Sequence, residues 1–291
     1  MASRSENTPL IVIVGQTASG KSALAMHLAR RFGGEIVAAD SRTVYRGMDI
    51  GTAKPTPQDR AMVPHHLIDV VNPDEPFNVA DFQRLANAAI DDIVSRGKLP
   101  ILVGGTGLYV DAVIYNFGLR KPANPALRRE LESLSVEELQ ARLIDQGLPL
   151  PRNERNPRHL IRAIEAGGET AVRAPLRPNT LVIGLQVDPE VLRDKIARRV
   201  DAMVKAGLVE EVRRLSEQYG WDVPALQAPA YKAFRPYIEG RISLEEAKQQ
   251  FARYDWQYAR RQKTWFRRNK DIVWIDRAEE IEDLITSFLS K

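Results

Sequence analysis

Cysteine is absent from the 291 residues of this sequence, which excludes disulfide bonds and thiolate metal ligands. Long apolar runs are absent as well, because none approaches the ~20 residues that a membrane-spanning helix needs. The segment 1–9 is polar and carries no apolar signal sequence, so export is not expected. These absences predict a cytoplasmic protein without a membrane partner.

The sequence also has little excess charge. Lys and Arg number 42 against 38 Asp and Glu, a net charge of +4, and hydrophobic residues make up 44%, as in ordinary globular proteins. The length suits one large domain or a core domain with an insertion.

Basic residues are nevertheless concentrated in the segment 251–270, where aromatic residues interleave with them. The basic ones are Arg253, Arg260, Arg261, Lys263, Arg267, Arg268 and Lys270, and the aromatic ones include Trp256, Tyr258, Trp265 and Phe266. Basic side chains neutralise phosphates and aromatic faces stack on bases, so this mixture suits nucleic acid. A solvated helix whose aromatic residues pack on the core explains the pattern equally well.

One short segment carries the strongest functional signal. It consists of Gly15, Gln16, Thr17, Ala18, Ser19, Gly20, Lys21 and Ser22, and it lies between the apolar run Leu10–Val14 and the helix-like stretch Ala23–Arg31. Strand, glycine-rich turn and helix start are the required context of a phosphate-binding loop, or P-loop. Its backbone N–H groups face an anion, Lys21 adds a full charge, and Ser22 offers a hydroxyl to Mg²⁺. The sequence therefore predicts a polyphosphate site, although a P-loop does not fix the chemistry.

Apolar strand-like runs alternate with helical patterns along most of the chain. The runs are Leu10–Val14, Glu35–Ala39, His66–Val71, Leu99–Gly104, Thr180–Val187 and Ile272–Ile275. This alternation predicts an α/β fold with a P-loop NTPase-like parallel sheet and helices on both faces. Ligands bind at the carboxyl ends of such strands, where Gly15, Asp40 and Gly104–Gly107 are expected to converge on one cleft.

The segment 119–178 interrupts the alternation. It has no strand pattern, is rich in proline and arginine, and carries short helical patterns at Ala126–Leu134 and Val136–Gln146. We therefore predict a core domain of residues 9–118 and 179–291 and a small all-helical insertion domain of residues 119–178. A basic insertion can grip a large anionic substrate, although charge alone also fits a solvated surface.

The strand Leu99–Val103 does not end in the acidic residue with which an ordinary P-loop ATPase holds Mg²⁺. It ends in Gly-Gly-Thr-Gly at 104–107, and we interpret these glycines as room for a substrate to approach the backbone. A carboxylate follows a different strand, as Asp40, beside the predicted P-loop. Asp40 is a candidate catalytic group, and a turn residue or helix cap is the alternative.

Several segments together resemble the tRNA dimethylallyltransferase family, also called tRNA isopentenyltransferases. They are Gly15–Ser22, Asp40–Pro55, His65–Asp69, Gly104–Tyr109, Asn156–Arg158 with Arg162–Glu165, Gly207–Arg213 and Tyr258–Arg267. The run Asp49–Pro55, which reads Asp-Ile-Gly-Thr-Ala-Lys-Pro, is highly specific, whereas the P-loop alone is not. The resemblance extends through nearly the whole chain.

This resemblance implies transfer of a five-carbon prenyl group from dimethylallyl diphosphate to N6 of adenine 37 in the anticodon stem-loop of a tRNA. The P-loop then holds the diphosphate of the prenyl donor in place of ATP, with Mg²⁺ as cofactor. The adenine leaves the stack of an already single-stranded loop to reach the active site. The family also implies a monomer.

The resemblance implies roles for individual residues as well. Asp40 matches the general base, and Thr106 matches the threonine near donor and acceptor. The diphosphate site comprises Gly15–Ser22 and Arg213, with Ser22 also toward the metal. The residues implied to bind tRNA are Asp40, Ser41, Arg42, Thr43, Thr106, Arg128, Arg158, Arg162, Gln227, Tyr231, Lys232, Arg260 and Arg261.

The sequence departs from the family pattern at several positions. The residues that replace the usual ones are Gln16, Thr43, Pro229 with Ala230, and Asp255 with Trp256. Most of them fall on parts that the resemblance assigns to tRNA recognition, whereas Lys21, Asp40 and Thr106 are intact. The donor chemistry is therefore better supported than the recognition of tRNA.

Three alternative functions stay open at this point. One is a small-molecule P-loop kinase that consumes ATP, another is a prenyltransferase acting on free AMP or ADP, and the third is an inactive RNA-binding protein. The basic segments favour a large RNA acceptor over a mononucleotide. The intact Lys21, Ser22, Asp40 and Thr106 favour an active enzyme.

Overall fold

The computed structural model describes residues 8–117, 124–168, 174–275 and 279–290. They form two compact units, one within Met1–Tyr115 and Leu176–Lys291 and the other within Asn116–Pro175. The predicted insertion, 119–178, overlaps the second unit, although its residues 119–123 and 169–173 lie outside the described ranges.

Six strands in the described part of the first unit form one sheet, in which every neighbouring pair is parallel. They are β1 (Leu10–Gly15), β2 (Gly34–Ala38), β3 (His65–His66), β4 (Leu99–Gly104), β5 (Thr180–Leu185) and β6 (Ile272–Ile275). Their order across the sheet is β3-β2-β4-β1-β5-β6. Because β2, β4 and β1 are neighbours, their carboxyl ends meet at one edge, which confirms the predicted convergence.

Helices precede or follow most of these strands. They are α1 (Lys21–Phe32), α2 (Pro57–Met62), α3 (Val79–Ser95), α4 (Gly107–Ile114), α5 (Pro125–Glu132), α6 (Val136–Asp145), α7 (Pro157–Ala166), α8 (Pro189–Lys205), α9 (Leu208–Tyr219), α10 (Pro229–Ile238), α11 (Leu244–Phe266) and α12 (Glu279–Leu289). A short 3-10 helix, Pro224–Gln227, precedes α10. None of the helices in the described ranges is long and apolar enough to cross a membrane.

Strand β3 is much shorter than the predicted run His66–Val71. The backbone of Leu67 and of Asp69 has a positive φ, which extended strands do not adopt. The carboxylate of Asp69 accepts hydrogen bonds from Lys54 at 2.6 Å and from Arg60 at 2.8 Å. This part of the chain therefore leaves the sheet after two residues and forms a charged turn instead.

Two apolar clusters organise the first unit. One packs the sheet against α1 and α12; its buried members include Ile11, Leu28, Ile36, Ile101, Ile183, Ile275 and Ile285. The other packs α8–α11 against the segment that follows β2; its buried members include Val44, Met48, Val212, Tyr231, Phe234 and Phe251. The second cluster holds the chain after β2 against helices, which fixes the route it takes beyond Asp40.

The second unit contains α5–α7, and each of these helices begins at a side-chain cap, supplied by Asn124, Ser135 and Asn156. Its buried core consists of Leu131, Leu139, Leu143, Leu160, Ile161 and Ile164. The helical patterns found in the sequence at 126–134 and 136–146 correspond to α5 and α6.

Glu211 on α9 fixes the highly specific run 49–55. Its buried carboxylate accepts hydrogen bonds from the backbone N–H groups of Asp49, Ile50 and Gly51 at 2.8–2.9 Å, and a fourth from the Tyr231 hydroxyl at 2.8 Å. Hydrogen bonds to a carboxylate are stronger than those between neutral groups, so these four bonds fix the backbone of the turn. A Cβ at residue 51 would lie 2.9 Å from the Tyr231 ring, so this turn needs its glycine.

We expect Glu211→Gln to lower the free energy of unfolding by about 1–3 kcal/mol, because charge-assisted bonds to buried N–H groups are lost. The neighbouring Glu210 is exposed, and Glu210→Gln is the matched control with an expected change within about 0.5 kcal/mol. Urea denaturation of both variants measures the difference. Equal stability of the two variants would show that the buried carboxylate does not anchor the turn.

Candidate active site

The segment Gly15–Ser22, which the sequence predicts to be a P-loop, runs from the end of β1 into the first turn of α1, and we keep the name P-loop for it. Ala18 and Gly20 have positive φ values of 59° and 95°, which curl the backbone ahead of the first turn of α1. Five residues of the loop and helix start line a cavity of about 410 Å³, namely Thr17, Ala18, Gly20, Lys21 and Ser22. We call this the first cavity.

Both charged and apolar residues line the first cavity. The charged ones are Lys21, Asp40, Lys195 and Arg199, and the apolar ones include Ala25, Ile36, Ala38 and Val103, which come from α1, β2 and β4. Such a cavity suits an amphipathic ligand with an anionic head and a short hydrocarbon part.

Lys21 interacts with the other charged residues of the site. Its Nζ donates a hydrogen bond to the Gln16 carbonyl at 3.1 Å. Burial lowers the pKa of Lys21 to about 8; Arg199 adds to the lowering, whereas Asp40 and Asp255 oppose it. The ammonium group is thus poorly compensated by the protein, and an anion in the cavity would restore its charge.

Asp40 and Thr106 are joined through Ser41. The Thr106 hydroxyl accepts a hydrogen bond from the Ser41 N–H at 3.0 Å, and one Asp40 oxygen accepts the Arg42 N–H at 2.8 Å. Thr106 precedes α4 but does not cap it with its side chain. Tyr258 lines the first cavity with Asp40, and burial raises the pKa of Tyr258 to about 12, so Tyr258 is neutral near pH 7. Asp40 therefore lines a cavity that holds both cations and neutral hydroxyl groups.

The interpretation of the Gly-Gly-Thr-Gly segment as room for a substrate is wrong. A Cβ at Gly104 would overlap the Ala39 backbone, a Cβ at Gly105 would overlap the Gln262 amide, and a Cβ at Gly107 would overlap the Trp265 ring. Parts of the protein itself, the end of β2 and the helix α11, occupy the space that these glycines leave. The glycines are needed for close packing at the strand ends.

Helix α11 contacts the P-loop through two glutamine amides, one on each side. Gln262 lies on α11, and Gln16 lies in the P-loop. Gln262 accepts the Thr17 N–H at 2.7 Å and donates to the Gly105 carbonyl at 2.9 Å, and Gln16 donates to the Ala259 carbonyl at 3.1 Å. All these groups are buried. The C-terminal basic helix thus has an inner face that contacts the P-loop and an outer face on which Arg260 and Arg261 are exposed.

A second cavity, of about 340 Å³, adjoins the first. The two share Thr17, Asp40, Thr52, Arg199 and Tyr258. Five further residues that the sequence assigned to tRNA line the second cavity, namely Ser41, Arg42, Gln227, Lys232 and Arg261. Thr43, another of that set, is buried and lines the first cavity. The structure therefore gathers most of the predicted core-domain site residues around Asp40.

Three predicted site residues do not line either cavity. Tyr231 has no exposed surface and donates to Glu211, so it supports the turn at Gly51 and is not available for contact with RNA. Arg213 is exposed on α9 and lines neither cavity. Arg128, in the second unit, makes a bidentate ion pair with the buried Glu165 at 2.6 and 2.7 Å.

The two remaining predicted arginines also lie in the second unit, on α7. Arg158 is exposed, and Arg162 lies 3.8 Å from Glu165.

The resemblance to the family implied that Arg213 lies near the diphosphate. In the structure it is Arg199 on α8 that contacts the P-loop. Its Nη1 donates to the Thr17 hydroxyl of the P-loop and lies 3.7 Å from a carboxylate oxygen of Asp255. A signal for it was present in the sequence, because Arg199 follows Ile196 and precedes Met203 on the buried stripe of α8. Asp255 and Gln262 interrupt the apolar stripe of α11 in the same way.

Comparisons with known proteins agree with this architecture. A family model described as IPP transferase matches residues 43–269. The tRNA dimethylallyltransferase of Roseiflexus sp. (strain RS-1) is 48% identical over 280 residues, which cover 91% of this chain and 92% of the relative. That of Exiguobacterium sp. (strain ATCC BAA-1283 / AT1b) is 46% identical and covers 93% and 91%.

Solved structures agree as well. The full-length tRNA isopentenylpyrophosphate transferase of Bacillus halodurans is 41% identical, with a TM-score of 0.75 and 97% of each chain covered. A eukaryotic dimethylallyltransferase acting on tRNA is 28% identical, with a TM-score of 0.77, covering 92% of this chain and 74% of the other. The sequence match, the shared fold and the P-loop site lead to one conclusion: this chain belongs to the IPP transferase family.

Proposed function

We propose that this protein transfers the dimethylallyl group of dimethylallyl diphosphate to N6 of adenine 37 in tRNA. The observation that carries the proposal is the position of Asp40 on the common wall of two cavities. One cavity has the P-loop cations and an apolar wall, and the other is lined by basic and amide side chains. Two of the relatives named above are called tRNA dimethylallyltransferases, which agrees with the transfer of this group to tRNA.

The donor fits the first cavity. Its diphosphate is placed against Lys21, Arg199 and the backbone N–H groups of the P-loop, and its short hydrocarbon part against Ala25 and Ile36. When the bond between C1 and oxygen breaks, negative charge moves onto the diphosphate. Groups that already point at this position stabilise that charge without having to reorganise.

The acceptor enters through the second cavity. The amino group of adenine is a poor nucleophile, because its lone pair is delocalised into the ring. In the proposed reaction the bond between N6 and C1 forms, the bond between C1 and the diphosphate breaks, and Asp40 accepts the proton that N6 loses. The Thr106 hydroxyl holds the backbone of Ser41, next to Asp40, and the Tyr258 phenol lines the first cavity beside them.

Mg²⁺ is part of the proposal. The described residues contain no group of three or more His, Cys, Asp or Glu that could hold a metal ion. Mg²⁺ commonly binds through substrate phosphates, water and one or two protein oxygens, and the Ser22 hydroxyl on the first cavity fits that donor set. When bound, the ion supplies positive charge to the diphosphate oxygens.

The anticodon stem-loop is the proposed form of the acceptor, bound by a cytoplasmic monomer. The exposed Arg260 and Arg261 on α11, with Arg42 and Lys232 on the second cavity, are the proposed phosphate contacts in the first unit. Arg158 is the corresponding candidate in the second unit.

The direct test incubates the protein with labelled dimethylallyl diphosphate, Mg²⁺ and unmodified tRNA. We expect label in the RNA, at the adenosine next to the anticodon, and none in AMP or ADP supplied in place of tRNA. ATP consumption without transfer would favour a kinase, and RNA binding without transfer would favour an inactive binding protein. Either result would contradict the proposal.

Asp40→Asn tests the proposed base. The amide keeps the shape and can still accept the Arg42 N–H, but it cannot take a proton, so we expect the single-turnover rate to fall ~10²–10⁴-fold. Dimethylallyl diphosphate should still bind, because Lys21, Arg199 and the P-loop N–H groups are unchanged. If Asp40 is only a turn residue, the melting temperature drops and the rate changes little; a stable variant with a wild-type rate would end the assignment.

Lys21 gives the anion site a pH dependence. Diphosphate prefers the protonated lysine, so its affinity should be full below the pKa of about 8 and should fall as the pH rises above it. The fall approaches about tenfold per pH unit. Lys21→Arg stays charged throughout and should lose this dependence. Calorimetric titrations of both proteins with diphosphate check this, and parallel curves would contradict it.

A further inference from the structure

Three buried side-chain atoms near the P-loop have no hydrogen-bond partner among the described residues. They are the Ser19 hydroxyl, the Nε of Arg199 and the Oδ2 of Asp255. Buried polar atoms are rarely left unpaired, and each one in a native protein calls for an explanation. The Ser19 hydroxyl and the Arg199 N–H are donors. Asp255 is an acceptor and carries the same sign of charge as the ligand.

Asp255 lines the second cavity and lies beside Arg199, one of the cations of the anion site. It is only 5% exposed, and its Oδ2 lies 3.7 Å from the Nη1 of Arg199, beyond hydrogen-bond distance. The same Nη1 donates to the Thr17 hydroxyl. Arg199 therefore lies between the carboxylate of Asp255 and the P-loop, and the attraction to Asp255 is Coulombic.

Asp255 also acts on Lys21, because its negative charge opposes the fall in the pKa of Lys21 that burial causes. In return, Arg199 and Lys21 oppose the rise in the pKa of Asp255 that burial causes. A charge in a buried site is screened less than one at the surface. The carboxylate thus interacts with both cations that the proposed function assigns to the diphosphate.

Other contacts besides this pair join α8 and α11. Leu192 and Ile196 pack against Ala259 in a buried cluster between the two helices. An exposed ion pair, Lys248 with Asp201 at 2.7 Å, joins the same helices. A buried pair with poor geometry adds little stability, because desolvation offsets its attraction. A structural role alone therefore does not account for the carboxylate at this position.

We propose that Asp255 is a resident counter-anion of the phosphate site, which weakens the hold of Arg199 and Lys21 on diphosphate and so speeds its release. The inference rests on the proposed function, in which diphosphate is the product that must leave. The P-loop amides, Lys21 and Arg199 together would otherwise retain a highly charged product. A fixed carboxylate beside the two cations lowers the affinity for the anion without removing a single donor.

The test compares Asp255→Asn with Asp201→Asn in the full chain, using inorganic diphosphate with Mg²⁺ as the probe. Both variants lose one negative charge at the interface between α8 and α11, but Asp201 pairs with Lys248 on the exposed side. We expect Asp255→Asn to bind diphosphate ~10-fold more tightly and to release it correspondingly more slowly, since one unit charge near two cations is removed. Asp201→Asn should bind as the wild type does.

Thermal melting gives a second readout. The Arg199 side chain is 24% exposed, so loss of the Asp255 carboxylate beside it should lower the melting temperature of the ligand-free variant only slightly. Diphosphate supplies the missing charge, so the rise in Tm on its addition should be larger in Asp255→Asn than in the wild type. If the asparagine variant does not fold, Asp255→Thr removes the same charge with a smaller side chain and carries the same expectation.

An unchanged or weakened affinity in the variant would overturn the inference, because it would show that Asp255 positions Arg199 or only fills the interface. If the wild type transfers the prenyl group and binds diphosphate while the variant binds it no more tightly, this inference fails and the proposed function stands. If the wild type neither transfers the group nor binds diphosphate, both fall.

Discussion

The amide of Gln262 is the contact on which the arrangement of the site depends. It accepts the backbone N–H of Thr17 in the P-loop and donates to the carbonyl of Gly105 after β4, both within a buried interface. A parallel sheet brings these strand ends close together, but it does not fix the two loops against each other. One side chain from a helix near the end of the chain does so. Gly105 has to be glycine, because a Cβ there would overlap this amide.

Fixing the loops also sets the electrostatics of the site. Lys21 of the P-loop and Arg199 interact with the carboxylates of Asp40 and Asp255, and burial lowers the pKa of Lys21 to about 8. Cations held in place before the ligand arrives can stabilise a developing anion without reorganisation. Asp40 lines both cavities. The two cavities meet at Asp40 because β1, β2 and β4 end side by side.

The sequence predicted the features that depend on local pattern. The P-loop, the six strands and the meeting of Gly15, Asp40 and Thr106 follow from apolar runs and from what comes directly after them. It did not predict contacts between distant parts of the chain, such as Thr17 with Gln262. We expected Arg213 to be the arginine near the diphosphate, but Arg199 on the preceding helix is the one that contacts the P-loop. A charged residue on an apolar helical stripe was the available signal, because burial of a charge requires a partner.

The buried amide of Gln262 is expected to hold the two cavities in register. Gln262→Ala tests this role, with Thr264→Ala on the exposed side of α11 as the control. The measurement is the single-turnover rate of prenyl transfer to tRNA at saturating concentrations of both substrates. We expect both substrates still to bind and the rate to fall roughly 10²-fold, as happens when reacting groups are misplaced by about 1 Å. A rate within about twofold of the wild type, in a folded variant, would contradict it.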